Sequence, residues 1–334
     1  MLAHVRPWLD AWVASAYGPG GFWKDNSPAS HFRTAAASTT LLADLIAGLL
    51  AEHPCIGAVV DLGAGGGELL NRLATRRPDL TLAGIDIRDR PPALAPSIDW
   101  QRDSWDVLTR RWQGDQLDQF LAAIGRPTLI TCVEWLDDLP CRVTSVGADG
   151  WREIQVDASG TETLGDRLPQ DDLRWLRDWW PQGPRAEAGT TRDAAWTATV
   201  RSLQRCGGLA LMIDYGHLRT DRPVSGSLTG YRRGRIVRAR PARELNLTAA
   251  VAVDAVEAAG AAAGARTVLR AQQGDLVRQL KPATIAQDPV AELVERSALA
   301  ALLSARVWGR QWWLLQKVTA AVSEPATTPD PVTA

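Results

Sequence analysis

The chain has 334 residues, enough to bury a substantial core. Its 37 Lys and Arg residues nearly balance 38 Asp and Glu residues, so no overall field attracts nucleic acid or an anionic membrane, and we expect neither partner. The four cysteines lack the close spacing of zinc sites and redox dithiols, so we expect no metal. No apolar run reaches the roughly 20 residues that span a bilayer. We therefore expect a cytoplasmic protein without membrane insertion. The sequence leaves open whether it forms a homodimer.

The order of predicted elements indicates an N-terminal helical extension followed by an α/β domain. Helical periodicity within residues 7–17 and 36–52 assigns residues 1–52 to the extension. An apolar run at 56–62, a helix at 68–74 and a second apolar run at 80–87 then predict a βαβ unit. Further strands are predicted at 128–133, 209–214, 267–271 and 311–318, and further helices at 192–204 and 247–259. This alternation predicts a Rossmann-like parallel sheet with helices on both faces.

Two segments interrupt that alternation. Residues 145–185 are polar and rich in Gly and Pro, which predicts an insertion dividing the α/β domain into residues 53–144 and 186–322. Residues 218–245 are rich in Arg and are predicted to form a long loop beside a site. Large apolar residues are missing from residues 323–334, which are predicted to be a disordered tail.

A glycine-rich turn follows the first predicted strand of the α/β domain. The strand ends at Asp61, and a helix is predicted from Glu68. The turn between them contains Gly63, Gly65, Gly66 and Gly67. Glycines permit positive φ and let the backbone approach a ligand closely, so these residues and Asp61 are predicted to bind a nucleoside cofactor.

Glu68 distinguishes between cofactors at this turn. A dinucleotide-binding fold needs Gly or Ala at the sixth position of its G-x-G-x-x-G motif. Counted from Gly63, that position is Glu68 in this chain. The Glu68 carboxylate would also oppose a pyrophosphate at the helix N-terminus. S-adenosylmethionine carries no phosphate, so the Glu68 carboxylate does not oppose its binding. The sequence therefore favours S-adenosylmethionine, and a purely structural glycine turn is the alternative.

Acidic residues follow the next predicted strands. Asp86 ends the strand after the glycine turn, where a carboxylate accepts hydrogen bonds from both ribose hydroxyls, and Ile87 adjoins it. A helix cap or a solvated turn is the alternative for Asp86. Asp103 and Ser104 follow the segment 98–101 and are predicted to hold the adenine. These four residues complete the predicted cofactor site.

Several segments in chain order resemble the MidA-like methyltransferases, a family that includes a mitochondrial assembly factor acting as a protein arginine methyltransferase. The resemblance rests on Tyr17 to Phe22, Phe32 to Ala35, VEWLDDLP at 133–140, GGLALMIDYG at 207–216 and LNLTAAVAVDAV at 245–256. His31 and Val133 depart from the family pattern. The resemblance implies a class I methyltransferase fold, S-adenosylmethionine as cofactor, and a protein or peptide acceptor in which arginine is methylated.

Carboxylates are the expected partners of such an acceptor, because a guanidinium stays protonated near neutral pH. Glu134 and Asp137 follow the strand at 128–133, where sheet topology places residues beside the reactive end of the cofactor. A turn or helix start is the alternative for Asp137. The predicted catalytic residues are Glu134, Asp137, Tyr215 and His217, with Glu134 also contacting the cofactor. The predicted substrate-binding residues are Phe22, Phe32, Thr34 and Asp214. For Asp214 the alternative is a core strand that closes at a polar turn, and for His217 it is a surface residue.

Other functions remain open at this level. Because His31 and Val133 depart from the family pattern, the chain could bind the cofactor and serve as an assembly or scaffold protein without turnover. It could also methylate a small molecule, with residues 145–185 as a lid. A nicotinamide enzyme is the most distant alternative.

Overall fold

The computed structural model describes residues 5–25, 35–279 and 289–321. Its helices are α1 (Trp8–Ala16), α2 (Phe22–Asp25), α3 (Ala35–Ser38), α4 (Leu41–Ala51), α5 (Glu68–Arg76), α6 (Gln116–Ile124), α7 (Gln170–Trp179), α8 (Thr190–Leu203), α9 (Val253–Ala262), α10 (Gln273–Gln279) and α11 (Pro289–Leu303). Its strands are β1 (Arg6–Pro7), β2 (Ala58–Leu62), β3 (Thr81–Asp86), β4 (Asp99–Arg102), β5 (Trp105–Asp106), β6 (Arg111–Trp112), β7 (Thr128–Val133), β8 (Arg142–Gly147), β9 (Gly150–Val156), β10 (Glu162–Arg167), β11 (Arg185–Ala188), β12 (Gly208–His217), β13 (Thr229–Arg232), β14 (Arg235–Val237), β15 (Asn246–Thr248), β16 (Val251–Ala252), β17 (Arg266–Gln272) and β18 (Gln311–Val318). No helix in these ranges is long and apolar enough to cross a membrane.

The main sheet has eight strands within the described residues, in the order β17, β18, β12, β7, β2, β3 and β4, with β16 paired to β12. Strands β12, β7, β2, β3 and β4 run parallel, which confirms the predicted βαβ unit and the Rossmann-like sheet. Strand β18 runs antiparallel to both β12 and β17, whereas a parallel sheet was predicted throughout. A buried apolar run has no directional signal, so its orientation is set by the path of the chain.

Helices cover both faces of this sheet, as predicted. On one face, α6, α8 and α9 pack against strand residues such as Val60 and Met212. On the other, α4, α5, α10 and α11 pack against alternate residues such as Val59 and Leu211. These four strand side chains are fully buried. Burial of each contributes about 1.5 to 3 kcal/mol, so the alternation of apolar residues fixes the sheet between two helical layers.

A second, antiparallel sheet contains the segment predicted as an insertion. Strands β11, β8, β9 and β1 are adjacent in that order, and β10 pairs with β9. Helix α1 packs on this sheet through the fully buried Trp8 and Trp12. The Trp8 indole N–H donates to Glu162 Oε1 at 2.6 Å. The N-terminal extension and residues 142–188 are therefore packed together.

The region before α9 differs from its predicted conformation. A helix was predicted over residues 247–259, but this segment starts as strands β15 and β16, and α9 begins only at Val253. Strand β15 pairs with β13 and β16 pairs with β12, so tertiary hydrogen bonds override the helical pattern. Residues 218–245, predicted as a loop, contain the hairpin β13–β14, which joins β15 in a three-stranded sheet.

Candidate functional site

The glycine turn lies between β2 and α5, at the carboxyl edge of the main sheet. Gly63, Gly65 and Gly67 have φ values of 67°, 62° and 73°, a region that glycine adopts without strain. A Cβ at Gly63 would lie 2.4 Å from Cδ1 of Trp135. The turn therefore requires glycine for its conformation and for the close approach of a tryptophan ring.

A cleft opens above this turn. We call it the glycine cleft; its lining includes Asp61, Gly63, Gly65 and Gly66 of the first strand and turn, Asp86 and Ile87 after β3, and Asp103 and Ser104 after β4. The structure thus brings together the predicted cofactor residues, with one difference. Gly67 does not line the cleft, and a Cβ there would lie 2.4 Å from Cδ1 of Leu94, so Gly67 shapes the turn from behind.

Asp61 is buried under the turn. Its Oδ1 accepts a hydrogen bond of 2.7 Å from the Thr131 hydroxyl of the neighbouring strand β7. Burial, with smaller contributions from the nearby Asp86 and Glu68, raises the pKa of Asp61 to about 7 against the opposing effect of the Thr131 hydrogen bond. A cation in the cleft would favour the charged form of Asp61.

Asp86 holds the far side of the turn. Its Oδ2 accepts from the backbone N–H of Gly65 at 2.9 Å, and its Oδ1 accepts from the backbone N–H of Arg88 at 3.0 Å. The Arg88 guanidinium also donates to both oxygens, at 3.0 and 3.2 Å. Since each carboxylate oxygen has about two acceptor positions, a diol reaching Asp86 has to displace the Arg88 guanidinium.

Asp103 organises the β4–β5 connection. Its Oδ1 accepts backbone N–H groups from Ser104 at 2.7 Å and Gly114 at 2.9 Å. The N–H of Gln116 reaches Oδ2 at 3.4 Å, so this oxygen keeps acceptor capacity. Asp103 therefore fixes the loop geometry and still presents an acceptor to the cleft.

Tryptophans complete the cleft, and the sequence interpretation missed them. Trp105, Trp112 and Trp135 all line it. The rings of Trp112 and Trp135 stack with centroids 5.8 Å apart, and Trp105 meets Trp112 edge-on at 5.7 Å. The indole nitrogens of Trp105 and Trp112 are buried without a hydrogen-bond partner in the described part of the chain. The abundance of Trp was the available signal, but Trp135 comes from a different segment than Trp105 and Trp112, which are paired in the β5–β6 hairpin.

These features fit a nucleoside ligand. The cleft offers the aromatic rings of three tryptophans and a glycine turn with no Cβ in the way. Aromatic rings of this kind are the usual stacking partners of a base.

Glu134 stands directly after β7 in an uncommon conformation. Its φ is 50°, in the left-handed region, which costs a non-glycine residue about 1 to 2 kcal/mol. Its Oε1 accepts from the backbone N–H of Ala35 at 3.0 Å and from Gln311 Nε2 at 2.9 Å, and neither bond uses Oε2. Burial raises the pKa of Glu134 to about 7, with Asp137 contributing in the same direction.

Three more carboxylates lie close to Glu134. Asp137 and Asp138 are 7% exposed and Asp214 is fully buried. Burial raises the pKa of Asp137 to about 6, and it raises those of Asp138 and Asp214 well above the usual range, with mutual repulsion adding to both. The Asp137 Oδ1 atom is buried without a partner among the described residues. In this acidic centre, the buried Arg192 guanidinium offsets part of the repulsion on Asp137 and Asp214, but its described hydrogen bonds go to backbone carbonyls, so Asp137 Oδ1 keeps acceptor capacity.

A second cavity opens over this acidic centre. We call it the acidic chamber; its floor consists of Glu134, Asp137, Asp138 and Tyr215. One wall is a face of the small sheet, with Thr229, Tyr231, Ile236, Asn246 and Thr248. The other wall is a face of α11, with Val294, Ser297, Ala298 and Ala301. Glu134 and Asp138 also line the glycine cleft, so these two carboxylates connect the cavities.

The other predicted site residues differ in whether they line these cavities. Tyr215 lines the acidic chamber, and burial raises its pKa well above the usual value. Phe22 is fully buried behind Trp23, which itself lines the glycine cleft, with ring centroids 5.0 Å apart. Phe32 and Thr34 lie outside the described residues.

Asp214 and His217 do not line either cavity. The Asp214 carboxylate accepts the backbone N–H groups of Leu136 at 2.9 Å and Asp137 at 3.2 Å, so it holds the loop that carries the acidic centre. His217 packs edge-on against Trp180 and lies 2.7 Å from Arg222 through Nδ1. Burial lowers the pKa of His217 to about 3, with Arg222 adding to the effect. A neutral histidine in this place does not face the reacting groups.

Comparison with known proteins identifies the family. A family model described as S-adenosyl-L-methionine-dependent methyltransferase matches residues 50–271, more than half of the chain. The chain belongs to this family. It is therefore an S-adenosylmethionine-dependent methyltransferase, and the resemblance to the MidA-like enzymes is confirmed. A search of curated proteins found no match.

Two solved structures share the fold of this methyltransferase. A Burkholderia thailandensis protein with S-adenosyl-homocysteine bound is 22% identical, with 94% of this chain and 88% of that chain covered at a TM-score of 0.69. A native structure of an uncharacterized protein from the same organism is 21% identical, with 94% and 87% covered at a TM-score of 0.68.

Proposed function

We propose that this methyltransferase transfers a methyl group to a cationic side chain of a protein, with arginine as the first candidate. The observation that carries the proposal is the position of Glu134, which lines both the glycine cleft and the acidic chamber. A group shared by the two cavities stands where a methyl donor in one would meet an acceptor in the other.

The glycine cleft is the proposed cofactor site. S-adenosylmethionine supplies an electrophilic methyl group on a sulfonium. The proposal assigns Asp61 and the backbone of Gly63 to Gly66 to the methionine side, Asp86 and Ile87 to the ribose, and Asp103 and Ser104 to the adenine. Trp105 and Trp112 join the set, because both residues line the same cleft.

The acidic chamber is the proposed acceptor site. Four carboxylates with raised pKa values form an unfavourable centre while it is empty, since burial and mutual repulsion oppose their ionisation. A guanidinium reverses this balance by pairing with Glu134 and with the unpartnered Oδ1 of Asp137. In-line alignment of acceptor nitrogen, methyl carbon and sulfur is then the main catalytic requirement.

The transfer balances with one proton released. The methyl carbon bonds to the acceptor nitrogen as its bond to sulfur breaks, and the nitrogen loses a proton. Glu134 is the proposed proton acceptor, because its pKa of about 7 leaves it half ionised near neutral pH and ready to gain a proton. Tyr215 and Asp137 are proposed to orient the acceptor from the chamber floor. Asp214 is proposed as a positioning residue, because it holds the Leu136–Asp137 backbone.

A labelling experiment tests this function. Purified protein receives S-adenosylmethionine with a tritiated methyl group and a host lysate, and mass spectrometry locates the modified residue. We expect a labelled protein band carrying methylated arginine, absent for Gly65→Asp. The matched control is Gly48→Ala in α4, where a Cβ meets nothing within 4 Å.

Two outcomes would replace the proposal. Label that stays soluble in acid would identify a small-molecule acceptor; residues 145–185, the lid expected in that case, line neither cavity in this conformation. Calorimetric binding of S-adenosylhomocysteine without any turnover would indicate a scaffold protein.

A further inference from the structure

We propose that the acidic chamber selects a peptide whose basic acceptor residue is flanked by acidic residues. This inference rests on the proposed function and adds the sequence preference of the acceptor. It follows from the charge of the chamber entrance, which is opposite to the charge of its floor.

Three arginines lie at the chamber. Arg233 belongs to the β13–β14 turn, and Arg306 and Arg310 belong to the segment between α11 and β18; all three line the chamber and are exposed. We call them the arginine rim. The Arg310 guanidinium carbon lies 5.2 Å from the centroid of the Tyr215 ring, which places this arginine directly above the floor.

The arginine rim lacks carboxylate partners in the described part of the chain. Some exposed arginines elsewhere do pair with acids: Arg167 with Asp149 at 3.1 Å and Arg205 with Asp118 at 2.9 Å. No ion pair of this kind joins Arg233, Arg306 or Arg310 to a described acid. Three unpaired positive charges around one opening form a local field that favours an acidic ligand.

The two walls suit an extended peptide. Tyr231 and Ile236 are cross-strand neighbours in the β13–β14 hairpin and share one face. On α11, Val294 and Ala298 face the same cavity at helical spacing. Ile236 is 73% exposed and Val294 is 61% exposed, which is unusual for aliphatic side chains beside a cavity. The chamber therefore offers an apolar passage between a basic rim and an acidic floor.

These layers specify the ligand by charge complementarity. A single basic side chain pairs with the acidic floor, and acidic residues on either side of it pair with the rim. A peptide with several basic residues meets repulsion at the rim, and a free small cation gains nothing from it. The specificity thus includes rejection of the wrong flanks as well as attraction to the right ones.

Three synthetic peptides test the inference. They contain one central arginine flanked by glutamates, by glutamines or by lysines, and they are otherwise identical. Binding to the protein saturated with S-adenosylhomocysteine is measured by fluorescence anisotropy, and methylation is measured separately. We expect the glutamate peptide to bind about 10-fold more tightly than the glutamine peptide and the lysine peptide to bind most weakly, with the differences shrinking as salt is raised.

Charge reversal on the rim provides the matched comparison. The double variant Arg233→Glu/Arg306→Glu should reverse the order of the peptides without changing S-adenosylhomocysteine affinity. The control is Arg232→Glu/Arg235→Glu, which makes the same charge change on the opposite face of the hairpin, where these two arginines are cross-strand neighbours. It should keep the wild-type order.

The outcomes separate this inference from the proposed function. Equal binding of the three peptides, or no binding of any, overturns the flank preference. Methylation of all three at equal rates also overturns it and leaves the function in place. Selective binding of the glutamate peptide without methylation supports the charge selection and counts against an arginine acceptor.

Discussion

The glycine cleft and the acidic chamber are adjacent, but they are built in different ways. The cleft depends largely on backbone: a turn of glycines at one strand end, with carboxylates after the next two strands. The chamber is assembled from side chains of the β7–β8 connection, the β13–β15 sheet, α11 and the segment after it. The cleft accommodates a constant ligand with main-chain geometry, whereas the chamber can change its acceptor through single side chains. Changes in the two regions should therefore separate cofactor binding from acceptor choice.

The largest expected effect comes from Gly65→Asp in the glycine cleft. Gly65 has a φ of 62° and lines the cleft, and a Cβ there would lie 3.8 Å from the Arg88 guanidinium and 3.9 Å from the Glu68 carboxylate. Backbone strain and obstruction of the cleft together should weaken S-adenosylhomocysteine binding at least about 1000-fold by calorimetry. The control Gly48→Ala should keep wild-type affinity and gain about 0.5 to 1 kcal/mol in stability. Wild-type affinity in Gly65→Asp would contradict the assignment of the cleft.

Glu134→Gln tests the residue that the two cavities share. We expect turnover to fall about 100-fold while S-adenosylhomocysteine affinity changes less than about threefold, because the proton acceptor is lost and the glycine turn is intact. In the wild type, kcat/KM should rise with pH through about 7, where Glu134 ionises. A variant that keeps both this pH profile and normal turnover would remove Glu134 from the mechanism.

Stability should respond to pH through both cavities. Asp61, Glu134 and Asp193 have pKa values raised by burial to about 7. Groups with raised folded-state pKa values stabilise the fold below their unfolded pKa, near 4, and this contribution is lost as pH rises through about 7. His217, whose pKa is lowered to about 3, opposes this loss slightly, because its unfolded form, with a pKa near 6.5, still releases protons up to about pH 7.5.

Between about pH 6.5 and pH 8, the free energy of unfolding of the ligand-free protein should therefore fall by at least about 2 kcal/mol, since Asp138 and Asp214, whose pKa values are also raised, act in the same direction. Urea unfolding at several pH values measures this change. Asp61→Asn should reduce the fall, because one of the three groups no longer titrates. A free energy of unfolding that rises over this interval would show that the buried carboxylates are not protonated as expected.

The smallest expected effect concerns Arg88 at the edge of the glycine cleft. Since its guanidinium occupies acceptor positions on Asp86 that a ribose diol would need, Arg88→Ala should tighten S-adenosylhomocysteine binding by about two- to fivefold. The Arg90→Ala variant is the comparison, because Arg90 donates to the carbonyl of Ile98 instead. Weaker binding in Arg88→Ala would mean that this guanidinium assists the cofactor.

Much of the cleft could be predicted because its residues are close in sequence. Asp61 to Glu68 is one strand end and one turn, and Asp86 follows by a single βαβ step, so local pattern and strand order suffice. Trp105, Trp112 and Trp135 could not be placed in the same way. Trp105 and Trp112 are cross-strand neighbours in the β5–β6 hairpin, and the stacking of Trp112 on Trp135 depends on how that hairpin meets the β7–β8 connection.

The sequence by itself determined the glycine turn, the strand-end carboxylates and the Rossmann-like alternation, because these arise from short-range backbone preference and from apolar periodicity. Only the tertiary structure decided that His217 packs against Trp180, that Asp214 supports a loop, and that β15 interrupts a predicted helix. The tertiary structure also placed an arginine rim over an acidic floor. Charges so far apart along the chain come together only through packing of the sheet, the hairpin and α11. No periodic pattern in the sequence indicates this proximity.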